Sequence, residues 1–321
     1  MHDSQRGKPV PLAATPGGAI AIGGESYLID LKFQGEPNVI AAYLVRGRDG
    51  LALIESGPGS TIDALVNGIN AAGFEVTDLT ALYVTHIHLD HAGAAGLLAK
   101  MNPRLKVYAH PFGVPHMIDP SKLIASASRI YGDQMQTLWG DWAPIDAERV
   151  IPFEDGQQID LGWRSLSVHF TPGHARHHVA IFEQESGDLY SGDVAGIHIP
   201  GAGYVCPPTP PPEFDPEAWS ASIALMRGLR PSRLIPTHFG PVSNPGAQLD
   251  QLEEQLARFI AIGEASFNAG DDQETLTRRL HDEVVAHLAG VAPEIVAQFE
   301  LATPSYMAAM GLMRYFTKRA A

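Results

Sequence analysis

The chain has 321 residues, and 22 Lys and Arg against 36 Asp and Glu give a formal net charge of −14 at pH 7. This acidic balance argues against a nucleic-acid partner, because binding phosphates requires a basic surface. A single Cys excludes a disulfide framework and a Cys-based zinc finger. Neither a targeting signal nor an apolar segment of roughly 20 residues is recognisable, so we expect a cytoplasmic protein with no membrane partner.

The first third of the chain predicts strands followed by a strand–helix alternation. Short apolar runs separated by Gly-rich turns predict strands at 19–22, 26–31, 39–47 and 51–55. Apolar residues at helical spacing predict a helix over 60–72. The run 81–85 reads as a buried strand, which is followed by a helix of small residues and by a strand at 105–110.

Residues 111–150 differ in character and read as a helical insertion that contains Trp139 and Trp142. Two interpretations stay open: the insertion has a small core of its own, or it is a lid whose aromatic side chains line a substrate pocket. The next strands are expected at 164–170, 178–183, 188–191 and 233–237, with a helix from Asp215 to Leu229 before the last of them.

After Pro245 the pattern is helical, and Asp271 with Glu274 fits a capping box between two helices. We therefore expect an α/β domain over 1–245 and a C-terminal helical extension over 246–321.

The segment Thr85-His-Ile-His-Leu-Asp-His91 holds four candidate metal ligands where a strand ends and a helix begins. Alternate side chains of an extended chain point the same way, so His86 and His88 face one side together. Asp90 and His91 lie in the turn and can aim at a second point nearby. This spacing favours two neighbouring metal ions over one.

Further ligands are expected from other strand ends, because a helix N-terminus by itself disfavours cations. His174, Asp193 and His238 each follow a strand-like run. Each is weak evidence alone, but together with the histidine-rich segment they form a coherent set.

The four motifs THIHLDH (85–91), TPGH (171–174), SGD (191–193) and THFG (237–240) resemble those of the metallo-β-lactamase fold superfamily. The resemblance covers about 20–245. It implies an αββα sandwich with a dinuclear site at one sheet edge. It also implies that Asp193 bridges the two ions and that three further residues hold each of them: His86, His88 and His174 for one, Asp90, His91 and His238 for the other. Glu55 stands where the family usually has Asp, in a position that supports a ligand.

Ligation by His and carboxylate suits two Zn ions, with Fe or Mn as alternatives. Such a pair, roughly 3.5–4 Å apart, would hold a bridging hydroxide that attacks an acyl or phosphoryl centre. Asp90 would orient this nucleophile and carry a proton to the leaving group. Two divalent cations outweigh the charge of the two carboxylates and the hydroxide, which favours an anionic small-molecule substrate.

Other residues near the motifs are candidates for the substrate pocket: Tyr204, Arg176, His198, Trp139 and Trp142. Cys206 is expected to be a small buried side chain, since nothing nearby would lower its pKa. The helical extension could cover the site or form a homodimer interface, and the sequence pattern does not decide.

Within the superfamily, Asp193 argues against a true β-lactamase, and Gly196, where acyl-homoserine lactonases usually carry Tyr, weakens a lactonase interpretation. Glyoxalase II is similar in its helical extension, but no Lys/Arg pattern for glutathione is recognisable in 245–321. We therefore expect a hydrolase of esters or, in preference, thioesters. A lactonase, a phosphodiesterase, an iron-dependent oxidoreductase of the persulfide dioxygenase kind and a metal-bound regulator stay open as alternatives.

Overall fold

The computed structural model describes residues 18–320, and seven of its strands form one mixed sheet. The strands adjoin in chain order: β1 (Ala19–Gly23), β2 (Ser26–Asp30), β3 (Ala41–Arg46), β4 (Leu51–Ile54), β5 (Leu79–Tyr83), β6 (Lys106–Ala109) and β7 (Val150–Pro152). Pairing is antiparallel from β1 to β4 and parallel from β4 to β7. The chain segments that follow β4 and β5 therefore leave the sheet at the same edge.

A second sheet of five strands has the order β14-β11-β10-β9-β8. The strands after β7 are β8 (Gln158–Asp160), β9 (Ser165–Phe170), β10 (Val179–Glu183), β11 (Asp188–Gly192), β12 (Ile197–His198), β13 (Val205–Cys206) and β14 (Arg233–Pro236). β12 and β13 form a separate two-stranded hairpin. β11 and β14 are parallel, so the segments after them also leave at one edge.

Helices cover the outer faces of both sheets. Those on the side of the first sheet are α1 (Ile62–Ala71), α2 (Leu89–Ala92), α3 (Ala95–Met101), α4 (Val114–Ile118), α5 (Ser121–Tyr131) and α6 (Met135–Trp139). Those on the other side are α7 (Pro216–Leu229), α8 (Pro245–Ala269), α9 (Gln273–His287), α10 (Pro293–Ala302) and α11 (Ser305–Ala320). Asp215 begins α7, because its carboxylate accepts the backbone N–H of Ala218 and Pro216 suits the first turn.

Three buried apolar clusters lie between the layers and pack them together. The cluster between the sheets contains Tyr43 and Tyr83 from the first sheet and Val168, Tyr190 and Ile235 from the second. One outer cluster joins the first sheet to α1 and the insertion, and the other joins the second sheet to α7–α11. The predicted αββα architecture with C-terminal helices is therefore confirmed.

Two details of the sequence interpretation were wrong. The insertion has no core of its own, because Met117 and Trp139 belong to the same buried cluster as Leu65 of α1. Asp271 is not the helix cap: Asp272 accepts the backbone N–H of Thr275 at 2.9 Å, one residue later than predicted.

The other predicted helices and strands are present within one or two residues of the expected bounds, whereas the two- or three-residue strands β7, β8, β12 and β13 were not predicted. Within 18–320, no helix combines the length and the apolar character needed to cross a membrane. The predicted division at residue 245 coincides with the start of α8, although the helices after it share their core with the second sheet.

Candidate metal centre

Three imidazoles meet beside the end of β5. Nε2 of His86 lies 2.9 Å from Nδ1 of His88, and Nε2 of His174 lies 3.0 Å from the same atom. Nδ1 of His174 donates to the carbonyl of Pro208, and Nδ1 of His86 lies 3.1 Å from the Thr85 hydroxyl. Those contacts leave the Nε2 atoms of His86 and His174 as lone-pair donors aimed at the same region as His88.

A second group adjoins the first. Oδ2 of Asp90 lies 3.6 Å from Nε2 of His91 and 3.3 Å from Nε2 of His238. Nδ1 of His238 donates to the carbonyl of Val39 at 2.6 Å, which directs its Nε2 toward Asp90. Asp90 and His91 lie in the short helix α2 after β5, and His238 lies in the segment after β14, so the fold brings the edges of the two sheets together here.

Asp193 lies between the two groups. One carboxylate oxygen, Oδ1, is 3.2 Å from Nε2 of His91 and 3.5 Å from Nε2 of His238, whereas Oδ2 is 3.3 Å from Nε2 of His174. The side chain thus contacts ligand atoms of both groups, which is the position that a bridging carboxylate would need. All seven side chains predicted as ligands are therefore brought together in one place.

The donor set fits divalent metal ions. Nε2 of His91, Nε2 of His238 and Oδ1 of Asp193 are buried and have no hydrogen-bond partner among the residues of 18–320. Buried polar atoms normally have hydrogen-bond partners. Three neighbouring buried atoms whose lone pairs have no such partner therefore fit the binding of a cation. His and carboxylate ligands suit Zn, Fe or Mn, and the atoms of each three-residue group lie within 4.8 Å of one another.

Glu55 supports this centre from behind. It is fully buried directly after β4, and its Oε1 accepts Nδ1–H of His91 at 3.0 Å. The hydroxyls of Thr85 and Thr237 donate to the same oxygen. The Glu side chain, which is one methylene longer than Asp, thus contacts the proposed ligand His91 and the segments that follow β5 and β14.

His178 is a residue whose contribution the sequence did not reveal. Its Nε2 accepts the backbone N–H of Asp193 at 3.1 Å, and its Nδ1–H donates to the Thr171 hydroxyl at 2.8 Å. The ring is fully buried. It therefore positions the loop that carries Asp193. The only signal for it in the sequence was its place four residues after His174.

The electrostatics of the two groups differ. Burial lowers the pKa of His88 to about 3, and the neighbouring His174 adds to this effect, so His88 is neutral at pH 7, as metal binding requires. Burial acts in the same direction on His91, but Asp193, Asp90 and Glu55 outweigh it and hold the pKa of His91 well above its ordinary value. The carboxylates thus make the second group a strong attractor for positive charge.

Comparison with known proteins agrees with the fold and the ligand set. The model of the metallo-beta-lactamase superfamily matches residues 35–238, more than half of the chain. The chain belongs to the metallo-beta-lactamase superfamily. Its hydrolases are metal-dependent, in keeping with the buried His/Asp cluster found here.

Three relatives illustrate how far the likeness extends. ST1585 of Sulfurisphaera tokodaii, a metallo-beta-lactamase fold-containing protein, is 28% identical over 226 residues, which are 69% of this chain and 80% of that protein. Its crystal structure aligns with a TM-score of 0.58 over 72% of this chain and 86% of that one, at 25% identity. A hydroxyacylglutathione hydrolase of a Synechococcus species is 29% identical over 133 residues, which are 41% of this chain and 40% of that protein.

The third relative shows the fold alone. TTHA1429 from Thermus thermophilus, a metallo-beta-lactamase family protein, aligns with a TM-score of 0.65 over 94% of this chain and 96% of that one, at 19% identity. The alignment covers nearly the whole chain, so it includes C-terminal helices.

Some of the residues that were predicted to line a substrate pocket do so in the structure, and others do not. Arg176 and Trp139 line a cavity beside the metal centre, as expected. Tyr204 does not line it, because its buried ring packs against His287 and Phe299 of the C-terminal helices.

Two other pocket predictions also need correction. Trp142 packs on the core of the first sheet and does not line the cavity. His198 is also absent from the cavity wall; its backbone N–H donates to the carbonyl of His238, and its carbonyl accepts from Phe239. Its contribution is therefore to hold the loop that carries His238. Cys206 is buried as predicted, and burial raises the pKa of its thiol.

Proposed function

We propose that this protein is a hydrolase of carboxylic esters or thioesters that uses two divalent ions, most simply Zn, held by the seven side chains described above. The observation that carries the proposal is Asp193, whose two carboxylate oxygens lie within 3.5 Å of ligand atoms of both groups. His86, His88 and His174 would hold one ion, and Asp90, His91 and His238 the other. Bound ions would supply Lewis-acid chemistry and a water nucleophile that is ionised near neutral pH.

Asp90 is the candidate for proton transfer. It lines the cavity, and its side chain is 18% exposed, more than that of any carboxylate or imidazole paired with it. Burial alone would raise the pKa of Asp90, but His91 and His238 outweigh burial and lower it to about 2. The carboxylate is therefore ionised at pH 7, where it can accept a hydrogen bond from a nucleophilic water and orient it. We assign to the same carboxylate the transfer of that water's proton to the leaving group.

Thioesters are preferred over lactones. The relative named hydroxyacylglutathione hydrolase, whose name describes cleavage of an acylated thiol, supports the thioester preference. Gly196, the position at which lactonases of this fold were expected to carry Tyr, has a φ of +81°, and a Cβ there would lie 2.6 Å from Cγ1 of Val205. A Tyr side chain is therefore incompatible with this backbone.

Two measurements test the proposal. Elemental analysis of protein purified with and without air is expected to find about two Zn per chain, whereas a single Fe per chain would favour the iron-dependent oxidoreductase. A panel of p-nitrophenyl esters, acyl thioesters, lactones and phosphodiesters then separates the substrate classes. Turnover of phosphodiesters or lactones in the absence of ester and thioester cleavage would contradict the proposal.

A further inference from the structure

A cavity of about 530 Å³ adjoins the metal centre. His88, Asp90, His174 and Asp193 line the part of its wall next to the metal ligands. Most of the remaining wall is apolar, and its members include Ile40, Ile87, Leu123, Leu138, Leu301 and Met307. Its volume falls within the range of about 300–1,000 Å³ that is typical of small-molecule sites.

The insertion and the C-terminal helices close this cavity together. The hydroxyl of Tyr131, at the end of α5, lies 4.0 Å from the sulfur of Met307 in α11. The amide of Gln298, which is 6% exposed in α10, donates to the carbonyl of Pro37 beside the first sheet at 2.9 Å. The C-terminal helices thus cross from the second sheet to the first and lie over the metal centre.

The charged side chains of the cavity wall outside the metal centre are either paired with other residues or exposed to solvent. Arg176 pairs with Glu213 at 2.8 Å, and its side chain is 60% exposed. Glu300 accepts both the hydroxyl and the backbone N–H of Ser305, so its carboxylate is occupied at the start of α11. Lys122 is exposed. A charged acyl group in the apolar part would lose its hydration without a partner, which is costly.

We propose that this cavity binds the acyl part of the substrate, and that this part is apolar: an alkyl chain of medium length or an aromatic acid. The inference rests on the proposed function, because the acyl carbon must lie at the metal centre while its substituent fills the cavity. Each methylene buried in the cavity is expected to raise kcat/KM about fourfold until the cavity is full.

The test is a chain-length series of p-nitrophenyl esters, from acetate to dodecanoate, with the metal-loaded full chain. We expect kcat/KM to rise steeply from acetate, reach a maximum at medium length and then fall. A profile that stays flat in an active enzyme, or that is highest for acetate, would overturn the inference.

Two variants locate the binding part of the wall, and a third serves as their control. Ala127→Leu adds bulk to a buried cavity residue of α5 and should move the maximum to shorter esters. Leu138→Ala enlarges the cavity and should move the maximum to longer esters. The control, Ala125→Leu, adds the same bulk at an exposed position of α5 outside the cavity wall, and should leave the profile unchanged. Identical profiles for all three variants would contradict the assignment.

Binding distinguishes failure of the inference from failure of the proposed function. If the protein with its metals cleaves no ester or thioester, the proposed function is wrong, and calorimetry with decanoate and acetate still tests the cavity. Decanoate is expected to bind at least about 100-fold more tightly than acetate, and Ala127→Leu is expected to weaken decanoate alone. Equal affinity for the two acids would overturn the inference.

Discussion

Oε1 of Glu55 lies 3.0 Å from Nδ1 of His91, and both side chains are buried. The same oxygen accepts the hydroxyls of Thr85 and Thr237, so one carboxylate connects the end of β4 with both segments that carry the second metal-binding group. Such contacts fix the ring orientation of a ligand and leave its other nitrogen free.

Replacing Glu55 with Gln should therefore weaken metal binding about 10- to 100-fold. The amide carries no negative charge, and its NH2 group would face the backbone N–H of Thr85, which donates to Oε2 of Glu55 at 3.2 Å. Competition with a chromophoric chelator measures the affinity. Glu36→Gln, at an exposed position, is the matched control. Equal affinities of the two variants would show that Glu55 does not support the centre.

Asp90→Asn removes the proposed proton carrier but keeps a side chain of the same shape. We expect kcat to fall about 10²- to 10⁴-fold while both metals stay bound, because general acid–base catalysis contributes about that much. Steady-state kinetics and elemental analysis on the same preparation check this. Full activity with full metal content would remove Asp90 from the mechanism.

His178→Leu should disturb the metal centre although it replaces none of the proposed ligands. The backbone N–H of Asp193 would lose its buried acceptor, at a cost of about 1–3 kcal/mol, and the carboxylate would lose its fixed position. A lower free energy of unfolding and weaker metal binding are both expected. His169→Leu, in the neighbouring strand β9, provides the control, and His178→Gln, which can still accept from Asp193, should recover part of the affinity.

Removal of the metals should destabilise the fold. A ligand present at about 1,000 times its Kd stabilises the native state by about 4 kcal/mol, which corresponds to a rise in Tm of about 6 °C for a chain of 321 residues. Calorimetry before and after treatment with a chelator measures the difference, and Zn should restore the original Tm. An unchanged Tm in protein shown to be metal-free would contradict the coupling of these buried ligands to folding.

Gly311→Ala should destabilise the contact of α11 with the loop beside the cavity. A Cβ at position 311 would lie 1.9 Å from the carbonyl oxygen of Thr209, and overpacking of this kind costs about 1–3 kcal/mol. Gly228→Ala is the opposite case, since nothing lies within 4 Å of its Cβ, and should stabilise α7 by about 0.5 kcal/mol. Urea denaturation of both variants measures these changes, and equal effects would contradict the tight approach at Gly311.

Local sequence patterns were enough to predict that the histidine-rich segment, residues 85–91, carries metal ligands. His86 and His88 point the same way because side chains alternate along extended backbone, and Asp90 and His91 follow directly in the turn. Tyr204 shows where such reasoning ends. It follows Asp193 closely in sequence, but the β12–β13 hairpin carries it to the C-terminal helices, where its ring lies 5.1 Å from that of His287.

The sequence by itself determined the positions of the main strands and helices, and which side chains are candidates for the metal centre, because these depend on periodicity, turns and spacing within short stretches of chain. The sandwich arrangement was implied by the resemblance of the four motifs to the superfamily. Tertiary structure alone decided that His178 positions Asp193 and that the insertion meets the C-terminal helices over the cavity, and it placed Asp193 against both groups, as the resemblance implied. Those contacts join residues far apart in the chain, and only packing of the layers against each other brings them together.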